Sequence, residues 1–119
     1  MKPIFVFGSN EAGRHGKGAA LYARENHGAM NGQGYGLQGT SFGIPTKGKN
    51  LEVLSLAHIQ SYVNAFLDFA ALSPDLLFMV TPIGTGLAGY DRHDIMRLFR
   101  KADFPVPSNV VFTKEWFNL

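Results

Sequence analysis

The residues able to do chemistry fall in two short stretches. Residues 5–20 read FVFGSNEAGRHGKGAA, and residues 81–90 read TPIGTGLAGY. In the first, Gly8, Gly13, Gly16 and Gly18 fall within eleven residues, and Arg14, His15 and Lys17 lie among the last three. Glycine lets the main chain approach a ligand closely and adopt positive φ. Amides left free at a following helix start face an anion, with the helix dipole in support. The chemistry expected is therefore a grip on phosphate, and two such loops side by side would clamp a diphosphate. The candidate contacts are Gly8, Ser9, Asn10, Arg14, Gly16, Lys17 and Gly18 in the first loop. In the second they are Gly84, Thr85, Gly86, Leu87, Ala88 and Tyr90. Glycines at these places also have a plainer reading, as turns that short α/β domains need for geometry alone.

Neither loop carries a familiar nucleotide motif. Gly13 and Gly18 have the glycine spacing of a P-loop, but Ala19 and Ala20 stand where it needs a lysine and a hydroxyl. Only Gly16-Lys17-Gly18 begins a G-x-G-x-x-G fingerprint.

The elements that would position these loops follow from apolar patterning. Ile4–Phe7 is a short apolar run closed by Gly8, and reads as a buried strand ending there. Lys17–Asn26 reads as a helix stopped by His27-Gly28. Residues 31–39, NGQGYGLQG, read as a loop without regular structure. Thr40–Pro45 and Leu51–Leu54 are strand candidates, with a polar turn over Thr46–Asn50. Ala57–Leu72 is the strongest helix, with Ile59, Val63, Phe66, Leu67 and Ala70 on one face. Leu76–Thr81 is a second buried strand, His93–Ala102 a helix capped by Asp91 or His93, and Asn109–Thr113 a last strand. The alternation predicts an α/β domain, three layers with a mixed, mostly parallel central sheet and about three helices. In such sheets ligands sit beyond the carboxyl ends of the strands, which is where both glycine loops fall.

The chain has 119 residues, enough for a single domain spanning 1–119. Ten Phe and one Trp give bulk to a core, and the absence of cysteine excludes disulfides and thiolate metal sites. The four histidines show no HxH or HExxH spacing, so no zinc site is expected. A net charge of +2 argues against a duplex-binding module and suits an anionic small molecule. The longest apolar-rich run, Leu76–Leu87, is too short and too broken to span a bilayer, so no membrane partner is expected. Met1-Lys2-Pro3-Ile4 leads straight into a strand, which argues against a signal peptide and for a cytoplasmic setting.

The segment MVTPIGTGLAGYDRHDIMRLF resembles the late strand, loop and helix of macrodomains, the ADP-ribose-binding α/β modules. Within them it is most similar to the branch of terminal ADP-ribose protein glycohydrolases, through Pro82, Ile83, Gly84, Gly86 and Leu87. GRHGKGAALYARENHG is similar to the first helix start of that branch, and GLQGTSFGIPTK falls where it has its middle strands. The overall pattern also resembles small macro-like proteins of bacteria and phages. The resemblance implies a cleft for an ADP-ribose-like or related adenine nucleotide, with both glycine loops around the phosphates and distal ribose. It implies that Asn10 lies near a ribose hydroxyl; the residue's other reading is a turn amide bonding its own backbone. No cofactor or metal is implied. Sequestration of a nucleotide signal would fit the phage-like resemblance.

The resemblance departs from the enzymes at their working positions. Arg24 stands at the place of the branch's lysine and Ala88 at the place of its acid. Arginine keeps its proton and is a poor nucleophile. Lys17, Asp91 and His15 remain as weak catalytic candidates for an ADP-ribosyl hydrolase, each with a structural reading beside it: a phosphate-facing lysine, a helix cap, a polar contact. Tyr35 and Tyr90 are candidates to stack on a base or cover a ribose, or else they pack over the sheet edge. Arg14, Lys17, Arg24, Lys47 and Lys49 would make a basic stripe if the ligand were a nucleic acid. Trp116 and Phe117 either close the core or form a contact in a homo-oligomer, as the long helix also would.

Overall fold

The computed structural model describes residues 3–101 and 105–117. Strand β1 (Pro3–Asn10) alternates its side chains across the sheet: Ile4 and Val6 enter one core, Phe5 and Phe7 the other. Helix α1 (Gly18–Asn26) buries Ala20 and Ala23 against the Phe7 side. Strands β2 (Gly36–Gln38) and β3 (Ser41–Lys47) form an antiparallel pair, and β3 then pairs parallel with β1. Helix α2 (Leu56–Ala71) starts at Ser55, whose Oγ accepts the His58 N–H at 3.1 Å. Strand β4 (Leu77–Val80) pairs parallel with β1, helix α3 (Arg92–Phe99) follows, and β5 (Val110–Phe112) pairs parallel with β4. A 3-10 turn, Lys114–Trp116, comes last.

Among the described residues the sheet order is β2-β3-β1-β4-β5, mixed but mostly parallel. The larger core lies between the sheet and α2 with α3, where Phe42, Phe66, Phe78 and Phe99 are fully buried. Burying each such ring contributes about 1.5–3 kcal/mol against leaving it in water. The smaller core lies on the opposite face under α1. Three layers result, as the patterning predicts.

Several element bounds differ from those read off the sequence. Strand β1 does not stop at Gly8 but runs on to Asn10, because the Gly8, Ser9 and Asn10 backbone still pairs with β3. Gly36-Leu37-Gln38, expected to be irregular, is an edge strand held by its pairing with Ser41–Gly43. Leu51–Leu54 forms no strand of its own; Val53 makes one isolated bridge with Lys47. Of the expected helix His93–Ala102, Arg92–Phe99 is helical, and Ala102 lies outside the described residues. Trp116 closes the core, its Nε1–H donating to the Val80 carbonyl at 2.7 Å, whereas Phe117 is exposed. Among the described residues no helix is long and apolar enough to cross a membrane.

Candidate functional site

Strands β1, β3 and β4 all point their carboxyl ends at the same rim, and there the chain opens into a cleft of about 790 Å³. Both glycine loops line it. From the first come Gly8, Ser9, Asn10, Arg14, Gly16, Lys17 and Gly18; from the second come Gly84, Thr85, Gly86, Leu87 and Ala88. The loops touch because residue 8 is glycine: a Cβ there would sit 3.3 Å from the Gly84 nitrogen and 3.4 Å from the Ile83 Cβ. Gly84 itself turns the chain at φ 73°.

The second loop is braced from within. The Thr85 hydroxyl donates to the Pro82 carbonyl at 2.8 Å, the Gly89 N–H to Gly86 at 3.0 Å, and the Tyr90 N–H to Gly84 at 2.9 Å. Among the described residues, the N–H groups of Gly84, Gly86, Leu87 and Ala88 find no acceptor, while the Thr85 N–H closes the turn over Ile83–Gly84. Four open amides on cleft-lining residues, three of them successive, are the main-chain equipment of an anion site. Facing them, α1 begins at Lys17 with no side-chain cap and no acidic residue in its first turn, so its first amides also remain open. Arg14, Lys17 and Lys47 line the cleft, and among the described residues no carboxylate does. Arg24 and Lys49, the other cations of the expected stripe, are exposed and do not line it.

The first loop is held by Asn10. Its Nδ2 donates to the Arg14 carbonyl and its Oδ1 accepts the Arg14 N–H, both at 2.9 Å. The carboxamide thus follows the turn reading, folding Glu11–Arg14 back on itself, although the residue does line the cleft. Ser9 is likewise engaged, its hydroxyl donating to the Gly34 carbonyl at 2.5 Å.

Four expected contacts belong elsewhere. His15 is fully buried beneath the first loop, its Nε2 2.9 Å from the Gln33 carbonyl and its ring edge against Phe7. Asp91 caps α3, accepting the His93 N–H at 2.7 Å. Tyr35 packs its ring on Phe42 and Tyr62, and burial, then the Asp68 charge, push its phenol above the ordinary value. Tyr90 packs against the larger core and donates its hydroxyl to the Leu54 carbonyl at 2.6 Å, tying the second loop to the chain before α2. None of the four lines the cleft. Of the three acid–base candidates only Lys17 does.

The cleft also includes residues that are not among the expected nucleotide contacts: Ala19, Ala20, Thr46, Leu51, Thr81, Pro82 and Ile83, with Lys47, expected only as part of a basic stripe. Thr46, Lys47 and Thr81 stand at or just past the carboxyl ends of β3 and β4, so the strand-end rule was the signal that would have found them.

Glu11 anchors the first loop to α2. The Tyr62 hydroxyl donates to its Oε2 at 2.5 Å, and His58 Nε2 lies 3.3 Å from the same oxygen. Burial, that hydrogen bond and the Glu11 charge push the Tyr62 phenol from 10.0 to about 12. Because the folded state favours the neutral phenol, its contribution is full below pH 10 and is lost as pH rises through about 12. Alkaline titration of phenolate absorbance, wild type minus Tyr62→Phe, is expected to show one phenol ionising near 12. Ionisation near 10 would mean that the Glu11 link is open in solution.

No family model, curated protein or solved structure matches the chain.

Proposed function

We propose that the chain binds an ADP-ribose-like or related adenine nucleotide in this cleft and holds it without turnover. The observation that carries the reading is the convergence of the two glycine loops at one rim, with four open amides and three cations around a cleft that no carboxylate among the described residues lines. A diphosphate fits that set: its charge is spread over several oxygens, and main-chain amides meet it without the desolvation that long side chains require. The macrodomain-like order of strand, glycine loop and helix supports the same ligand. Cleaving a glycosidic or ester bond calls for a positioned acid and base. The cleft offers the lysines Lys17 and Lys47 and, among the described residues, no carboxylate or histidine, with Asp91 and His15 placed elsewhere. Held without turnover, the ligand is withdrawn from its users, and sequestration of a nucleotide signal is the role we assign.

Thermal melting with ADP-ribose, cyclic ADP-ribose isomers, NAD and cyclic dinucleotides tests this. A ligand at a thousandfold excess over its dissociation constant stabilises the fold by about 4 kcal/mol, a rise in Tm on the order of 10 °C. No rise with any of them sinks the binding reading. Product appearing in the same mixtures by chromatography replaces storage with hydrolysis.

A further inference from the structure

Leu51 breaks a local rule. After β3 the chain reverses tightly: the Leu51 N–H donates to the Gly48 carbonyl at 3.0 Å, the Gly48 N–H to Glu52 at 2.8 Å, and the Leu54 N–H to Thr46 at 3.0 Å. The residue closing this reversal takes φ 64°, and it is a leucine, the one non-glycine at positive φ among the described residues. Such a position ordinarily takes glycine or asparagine, because a Cβ there crowds the following carbonyl oxygen. Leu51 remains 42% exposed, and it lines the cleft. A strained residue on a cleft wall points to function.

Leu87 is its counterpart in the second loop. It too lines the cleft and is 72% exposed, the largest apolar side chain that loop offers there. The cleft therefore combines open amides and cations with two apolar side chains carried on different loops. A bare anion has no use for the apolar part, and a purely apolar ligand has none for the charged part. A phosphate joined to a flat ring uses both, since aliphatic side chains make close dispersion contact with the faces of a base.

We infer that Leu51, together with Leu87, forms an apolar clamp on the base of the bound nucleotide and sets the preference for base-bearing ligands over bare phosphates. The inference rests on the nucleotide reading above.

Calorimetric titration with ADP and with inorganic pyrophosphate separates the two. The wild type is expected to bind ADP more tightly than pyrophosphate. Leu51→Gly is expected to lose affinity for ADP by about 10-fold, the scale of one buried leucine side chain, with pyrophosphate unchanged. Leu87→Ala, a change at an exposed position free of strain, is expected to do the same. Leu51→Asn keeps the left-handed preference with a polar side chain and should also lose ADP, so a loosened turn is not the cause. Without ligand, Leu51→Gly should melt at or above the wild-type temperature, because strain is relieved. A lower melting temperature would make Leu51 a packing residue and overturn the inference. So would pyrophosphate bound as tightly as ADP by the wild type, or ADP affinity unchanged in the variants; both leave the anion cleft standing. Failure of the wild type to bind either probe overturns the clamp, and the melting panel above decides whether the nucleotide reading falls with it.

Discussion

Replacing Gly86 with alanine and then valine is expected to weaken ADP-ribose binding by about 10-fold and about 100-fold, with ligand-free melting unchanged to within about 2 °C. Gly86 has neither of the usual structural reasons to be glycine. Its φ lies outside the left-handed region, and a Cβ built on it would meet nothing within 4 Å. Gly86 lines the cleft, and its N–H finds no acceptor among the described residues. Gly16, in the first loop, has the same two properties. On the proposed function, glycine at both positions leaves room for a guest close to the main chain. Each added methyl group displaces that guest, and overfilling a fitted space costs about 1–3 kcal/mol. Calorimetry with parallel melting curves reads both quantities. Undiminished binding in the valine variant would show that the second loop does not touch the ligand.

Gly34→Ala should do the opposite, lowering stability by about 3 kcal/mol and Tm by roughly 10 °C. Here the built Cβ would lie 2.2 Å from the Asn10 carbonyl oxygen and 3.2 Å from the Glu11 Cα. Both are backbone atoms at the end of β1, and neither can swing aside as a side-chain tip can. The Gly34 carbonyl also accepts the Ser9 hydroxyl, and a Cβ on Gly43 would lie 2.3 Å from that carbonyl oxygen. Residues 31–39 therefore lie directly on the ends of β1 and β3, and one methyl group lifts them off. Denaturant unfolding measures the loss, and an unchanged midpoint would mean that this loop stands away from the sheet in solution. The two substitutions contrast a glycine with open space around it, at residue 86, with one required by close approach of backbone, at residue 34.

That contrast was not legible in the sequence, where both are glycines in glycine-rich loops. What could be read were features with local causes: the apolar runs of β1 and β4, the one-sided face of α2, and a glycine cluster after each of two strands. The convergence of those clusters followed from the general rule for strand ends. What could not be read depended on partners distant in the chain. Gly36-Leu37-Gln38 has poor strand propensity and is a strand only because β3 lies beside it. His15 is a polar residue in a polar loop, and only Gln33, Gln38 and Phe7 explain its burial. Tyr35 and Tyr90 sit in loops that looked exposed, but α2 and the chain before it take up their rings or hydroxyls. The backbone of Leu51 is set by a reversal whose hydrogen bonds no composition rule reveals.

The central place of β1 also governs how the molecule can assemble. Its two flanking strands are residues 41–47 and 77–80, and neither is near it along the chain. Its ladders on both sides wait on the closure of long loops, whose entropy must be surrendered before any pairing is gained. No hairpin can form early around β1 and serve as a template. Folding should therefore be slow for a chain of this size and all-or-none, and a fragment ending before β4 should show no protected amides in β1 by hydrogen exchange.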